Sequence, residues 1–178
     1  DGKVNPLLGM KDTNGYADTA ADLFCEGQAG MQGVVADPDF AKNRLIYVYS
    51  TSSKTAPGTN RVMRLKVSED FSKVSDRKDI VDDIPYKPMA TDHPFGGPGA
   101  HNGGRLRFNP GDGFLYVTTG DTHNGEVPQS PTKIGGKVLR IDRDGKHAAV
   151  MTYSRGRPDL IIIDHTEVNP AYGGQGLG

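Results

Sequence analysis

The sequence predicts an all-β fold, part of a β-propeller, and three observations carry that reading. Glycine (24 residues) and proline (12 residues) are abundant and scattered rather than periodic. Such a load suits many short strands joined by turns better than a helical bundle. No convincing amphipathic helix is legible before residue 150, whereas short runs of alternating apolar and polar residues recur. The third observation is an internal repeat at about 70 residues, a period that fits antiparallel three- or four-stranded blades arranged radially.

The strand-like runs are Gly33-Val34-Val35-Ala36, Leu45-Ile46-Tyr47-Val48-Tyr49, Val62-Met63-Arg64-Leu65-Lys66-Val67, Leu106-Arg107-Phe108, Phe114 to Thr119, and Lys137-Val138-Leu139-Arg140-Ile141. Turn residues punctuate the gaps: Asp37-Pro38-Asp39, Asn109-Pro110-Gly111-Asp112-Gly113 and Asp142-Arg143-Asp144-Gly145. The first copy of the repeat runs from Pro38-Asp39 through Leu45-Ile46-Tyr47-Val48 to Val62-Met63-Arg64-Leu65. The second runs from Pro110 and Asp112 through Phe114-Leu115-Tyr116-Val117 to Val138-Leu139-Arg140-Ile141. A sandwich whose strands share a turn chemistry is the alternative. Two to three blades are expected over residues 1–147. Propellers close with about four to eight, so the chain is expected to be an incomplete propeller, or one completed by remaining blades or a second chain.

The composition changes near residue 148. Met151-Thr152-Tyr153-Ser154, the turn Arg155-Gly156-Arg157-Pro158-Asp159 and Leu160-Ile161-Ile162-Ile163 read as a hairpin whose second strand is buried on both faces. A β-branched strand that leads to the glycine loop Gly173-Gly174-Gln175-Gly176-Leu177-Gly178 suits a short α/β-type segment. We place a junction at residues 146–149, which divides the chain into 1–147 and 148–178.

A formal net charge of −1 argues against a nucleic-acid footprint. The longest apolar run, Leu160 to Ile163, is far short of a membrane span. Cys25 is the single cysteine, so neither an internal disulfide nor a cysteine-built zinc site is expected. It reads as a small buried hydrophobe. The sequence opens at Asp1 without initiator Met or signal peptide, as a processed chain or a fragment would.

The chemistry gathers around His101, in Gly96-Gly97-Pro98-Gly99-Ala100-His101-Asn102-Gly103-Gly104-Arg105-Leu106. Glycines let backbone approach a ligand closely, and a carboxylate, Asp121, follows Gly120 at the end of the next strand. The arrangement reads as a base held over a cavity. His93 and His123 read as solvated, and Arg105 as a brace for the loop.

Residues 22–146 resemble the PQQ-dependent soluble aldose sugar dehydrogenase (glucose/sorbosone dehydrogenase) family. The resemblance rests on Gly27-Gln28-Ala29-Gly30-Met31-Gln32-Gly33, Asp37-Pro38-Asp39-Phe40, Asn43-Arg44-Leu45, His101 to Leu106, Gly120-Asp121 and Gly135 to Asp142. It implies a six-bladed propeller with pyrroloquinoline quinone (PQQ) in the axial cavity, oxidising the C1 hydroxyl of aldose sugars to lactones and passing electrons to an external acceptor. By the same resemblance His101 is the general base, Asp121 its partner on the other ring nitrogen, and Gln28 a hydrogen-bond donor to the cofactor. The Ca²⁺ that polarises the quinone is expected to take its ligands from outside this chain, and the setting to be periplasmic or secreted. Residues 151–178 are similar to a truncated Gcn5-related N-acetyltransferase, whose glycine loop cradles the pyrophosphate of acetyl-CoA. Two other functions follow as alternatives: an N-acetyltransferase fragment, or a non-catalytic β-propeller binding module.

Overall fold

The computed structural model describes residues 2, 4, 6–8, 21–88, 97–145, 147–157 and 160–172. Strands β1 (Met31–Ala36), β2 (Leu45–Ser52), β3 (Thr59–Val67) and β4 (Val74–Ile84) form one sheet in sequence order. Strands β5 (Gly103–Phe108), β6 (Leu115–Thr119), β7 (Val138–Ile141), β8 (His147–Arg157) and β9 (Leu160–Val168) form a second, also in sequence order. Every neighbouring pair is antiparallel. Two four-residue helical turns, α1 (Phe40–Asn43) and α2 (Glu126–Gln129), sit in connections. The predicted blade-like meanders are thus present, one per repeat.

Alternation along the strands decides how the sheets stack. Tyr47, Tyr49, Val62, Val81 and Ile84 on the first sheet pack against Leu106, Leu115, Val117, Leu139 and Ile141 on the second. The intervening residues Val48, Met63, Leu65 and Val67 turn to the other side of the first sheet and build a smaller cluster there, flanked by half-buried Leu7, Leu8, Phe40 and Ile46. Each large apolar side chain so buried contributes about 1.5–3 kcal/mol. The inner core, shared by both sheets, is therefore what joins them.

The inner edge strands β1 and β5 touch through backbone. A Cβ on Gly33 would run into the carbonyl oxygen of Gly104, and one on Gly104 would strike the Gln32 side chain. Gly104 also has φ +104, outside the comfortable range of residues with a Cβ. Two strands can approach this closely only where both lack side chains.

The repeat has a physical basis. In the first sheet Tyr47 lies opposite Arg64 and donates its hydroxyl to buried Asp37, 3.1 Å away, in the turn after β1. In the second sheet Tyr116 lies opposite Arg140 and donates to Asp112, 2.8 Å away, in the turn after β5. At the lower end, opposite to where β1 and β5 begin, ion pairs lock one sheet to the other. Arg143 reaches Asp37 at 3.2 Å and Asp39 at 2.8 Å, while Arg64 reaches Asp144 at 2.7 Å.

Strand β4 has no counterpart among the predicted runs. Its sequence, Val74-Ser75-Asp76-Arg77-Lys78-Asp79-Ile80-Val81-Asp82-Asp83-Ile84, is mostly charged, and its pairing with β3 shifts register three times. Such an outer edge strand needs few apolar residues, and its charges discourage pairing with other chains. Cys25, expected to be buried, is exposed. It precedes β1 rather than lying on the inner face of a strand, and it lines an open apolar cavity with Leu23, Phe24, Ala29 and Met31.

The change of composition near residue 147 brings no change of layer. Strand β8 pairs with the free edge of β7 and β9 pairs with β8. Strands β8 and β9 form the antiparallel hairpin expected from the sequence, followed by a 3-10 turn at Pro170–Tyr172. The open edge of β7 presents unpaired backbone groups, which a further strand satisfies. The glycine loop 173–178 and His93 lie outside the described residues.

Two expected outcomes follow. Gly33→Ala overpacks the β1–β5 crossing and lowers unfolding free energy in urea by about 1–3 kcal/mol. The second concerns Arg77, which bonds Asp22 and Asp79 at 2.5 and 2.7 Å. Burial pushes both carboxyls up, but Arg77, with Ser52 at Asp22 and Lys54 at Asp79, outweighs it and holds each below the ordinary range. Depressed carboxyls stabilise the fold above their unfolded pKa of about 4 and lose that contribution as pH falls through the folded value. The urea midpoint should fall on acidification below about pH 4, and Asp22→Asn should flatten that fall.

Candidate active site

Three loops meet at the upper end, where β1 and β5 begin and β6 ends. They are residues 26–30, 97–102 and 120–136. Gln28 lies in the first, His101 in the second and Asp121 in the third, so the structure brings all three predicted residues to one rim. His101 Nδ1 is 2.8 Å from Asp121 Oδ1. The same oxygen accepts the backbone N–H of His123 at 2.9 Å, which fixes the carboxylate for the imidazole. His101 has φ +53, and Thr122 and His123 have +55 and +59. These are left-handed conformations that a residue with a Cβ adopts when its surroundings demand it.

The demand comes from Gly120. A Cβ there would overlap the carbonyl oxygen of His101, so only glycine lets the two loops lie together. Its N–H donates to Asn102 O at 2.9 Å and its own carbonyl accepts from Gly136 N at 2.9 Å. Asn102, buried beside His101, ties the rim together. Its carbonyl accepts the Tyr49 hydroxyl at 2.6 Å, its Oδ1 accepts from Asn60 Nδ2 at 2.9 Å, and its Nδ2 donates to Gln28 O at 3.0 Å. Thr51 continues the chain of bonds, donating to Asn60 Oδ1 at 2.8 Å and accepting from Gly30 N at 3.1 Å. Below the third loop, the buried Lys137 ammonium donates to the carbonyls of Val127, Pro128 and Gly135 at 3.2, 2.8 and 3.1 Å. Burial pushes this amine below the usual lysine range.

The pair itself stays open to solvent, with side-chain exposures of 50% for His101 and 31% for Asp121. Among the described residues His101 Nε2 and the Gln28 carboxamide make no hydrogen bond, so both can meet a ligand. With a proton on Nδ1 donated to Asp121, Nε2 carries the lone pair of a base. Among the described residues, no group of three or more His, Cys, Asp or Glu could hold a metal ion.

Two minor expectations need correction. His123, read as solvated, is half-buried and packs its ring against that of His101, centroids 4.6 Å apart. Arg105 braces the loop only through its backbone, whose N–H donates to Thr118 Oγ1 at 3.0 Å, while its side chain is exposed. Asn102, Asn60 and Thr51 were not singled out from sequence. Asn102 stands next to His101, which is the one available signal.

An antiparallel meander per repeat, with a carboxylate-aligned imidazole where inner strands begin, defines a propeller-type protein with a candidate base on its upper rim. The sequence profile described as Glucose / Sorbosone dehydrogenase matches residues 2–156, and the chain belongs to that family. It is 32% identical over 126 residues to Aldose sugar dehydrogenase YliI of Escherichia coli K12, covering 70% of this chain and 31% of that one. A crystal structure from Thermus thermophilus, assigned as an oxidoreductase (glucose dehydrogenase), matches at TM-score 0.60 and 30% identity, over 79% of this chain and 37% of that one. The PQQ-bound aldose sugar dehydrogenase of Streptomyces coelicolor matches at TM-score 0.59 over 89% of this chain and 53% of that one, and at 21% identity shows the fold alone. This chain spans about a third of the length of the curated relatives it matches. A second profile, GCN5-related N-acetyl-transferase, matches residues 138–178 and overlaps the first across β7 and most of β8. Among the described residues no helix is long and apolar enough to cross a membrane.

The buried hub gives a direct test. Asn102→Leu removes one of two hydrogen-bond partners from Gln28 O and from Asn60 Nδ2, which keep Gln32 Nε2 and Pro85 O, and should lower stability by about 1–3 kcal/mol in urea unfolding.

Proposed function

We propose that the chain carries the base-bearing part of a PQQ-dependent aldose sugar dehydrogenase, in which a sugar C1 hydroxyl is oxidised to the lactone. The observation that carries this reading is the His101–Asp121 pair at 2.8 Å, on a rim where Nε2 is unengaged. The donor set suits the quinone in kind: among the described residues neither the Gln28 carboxamide nor His101 Nε2 makes a hydrogen bond, and Asn102 ties the Gln28 backbone carbonyl to the residue next to His101. When bound, PQQ supplies a two-electron hydride acceptor, which no protein side chain provides.

With the quinone bound as hydride acceptor, His101 Nε2 would take the proton of the C1 hydroxyl. Asp121 accepts the Nδ1–H bond throughout, fixes the tautomer and stabilises the imidazolium that forms. Gln28 would help hold the cofactor by offering its amide N–H to an acceptor on it. Calcium, an external electron acceptor and a periplasmic or secreted setting belong to the same proposal. Residues 1–147 would form the dehydrogenase part and 148–178 the acetyltransferase-like segment. The profile match over residues 138–178 favours a second reading, an acetyl-CoA-dependent N-acetyltransferase fragment. Protection of residues 160–172 from hydrogen exchange by acetyl-CoA would support it.

The experiment is dye reduction with PQQ, Ca²⁺ and an aldose, with the remaining sheets of a relative supplied in trans. His101→Ala should reduce turnover by about 10²–10⁴ with unchanged unfolding, and Gln28→Ala should weaken PQQ binding. Absence of reduction by the unaltered chain under these conditions would overturn the sugar-oxidation reading.

A further inference from the structure

Two histidines meet at the upper rim, and the dehydrogenase reading uses one of them. His101 lies in the loop before β5 and His123 in the loop after β6, yet their ring centroids are 4.6 Å apart, with the planes tilted by 58°. That separation is one at which aromatic rings hold each other. The proton transfer assigned to His101 and Asp121 gives no account of a second imidazole at this place.

The backbone builds the contact. His101 has φ +53 and His123 φ +59, left-handed conformations in which histidine, asparagine and aspartate are the least disfavoured residues with a Cβ. Thr122, between Asp121 and His123, has φ +55. Two consecutive left-handed residues turn the chain back on Asp121, and the His123 N–H donates to Asp121 Oδ1 at 2.9 Å. The same oxygen lies 2.8 Å from His101 Nδ1. The backbone of residue 123 thus holds the carboxylate, while its side chain meets the imidazole.

The carboxylate by itself does not fix the His101 ring. One bond at Nδ1 is a pivot about which the imidazole can still swing, and half of the side chain faces solvent. A base has to present its lone pair to within about 0.5 Å and 10–20° of the productive geometry. A second contact, ring against ring, removes the remaining freedom.

We propose that His123 is a positioning residue for the candidate base: its ring, packed on that of His101, keeps the imidazole on Asp121 and Nε2 turned to the rim. The role needs a ring at position 123 and no proton on it. The inference rests on the reading of His101 as the base, and adds to it a residue that the family resemblance does not include.

Imidazole NMR on the full chain tests it, without quinone or sugar, at about pH 8.5, above the ordinary imidazole range. The His101 signals are assigned by their loss in His101→Gln. Asparagine lacks the ring yet accepts a left-handed backbone, and the N–H bond from residue 123 to Asp121 survives any change of side chain. His123→Asn should therefore keep the urea midpoint and free the His101 ring. Carbon relaxation at Cε1 should show faster ring motion, and nitrogen shifts should show the Nδ1–H tautomer falling by about half or more, since the bond to Asp121 is what fixes it. His123→Phe should return both readouts towards the unaltered chain. A His101 ring as ordered in His123→Asn as in the unaltered chain would overturn the proposal. So would a Phe variant that behaves like the Asn variant, which would assign the effect to the His123 nitrogens rather than to packing. Failure of dye reduction by the unaltered chain would strike the reading of His101 as a base and leave these spectra as they are, so the two failures are distinct.

Discussion

The crossing of β1 over β5 at Gly33 and Gly104 is the constraint from which the rest of the structure follows. Two sheets can share a core only if their inner edges come close, and here backbone meets backbone with no side chain between. The close approach sets the tyrosines of the first sheet against the leucines and valines of the second. It also brings the loops that precede β1 and β5 to one rim, so packing and site geometry have a common origin.

At that rim the strong and the exposed interactions are divided between adjacent residues. Asn102 is buried, and both ends of its carboxamide as well as its carbonyl are bonded. A fully satisfied buried polar group of this kind specifies one arrangement, because any slip leaves donors or acceptors unpaired in a dry setting. His101, one residue earlier, is half-exposed and bonded on one nitrogen only. Rigidity thus sits beside His101 rather than on it, the arrangement that the proposed proton exchange with a ligand would require.

The two repeats use one chemistry with different closures. In both, a strand tyrosine donates to the aspartate of the preceding turn and lies opposite an arginine. Arg64 then reaches into the neighbouring sheet, whereas Arg140 stays on its own sheet, bonded to Asp112 and stacked 3.5 Å over the Phe114 ring. The difference follows from position: the first sheet has a neighbour within the described chain and the second has none on that side.

The all-β architecture and the repeat were legible in the sequence because they rest on local signals, whereas the His101–Asp121 pairing came from the family resemblance. Alternation with period two marks strands, glycine marks close backbone contact, and Tyr47 and Tyr116 recur with their turn aspartates and opposing arginines. Strand β4 was not legible, since an outer edge strand is held by its partner's hydrogen bonds more than by its own apolar residues. Nor was the hub formed by Asn102, Asn60 and Thr51, three polar residues whose positions 51, 60 and 102 meet only after two sheets have stacked. The exposure of Cys25 and the packing of His123 on His101 have the same cause. Sequence by itself determined where most of the strands lie and which residue types can do chemistry. Tertiary structure decided which polar groups are buried together, because burial depends on contacts between segments that no local pattern encodes.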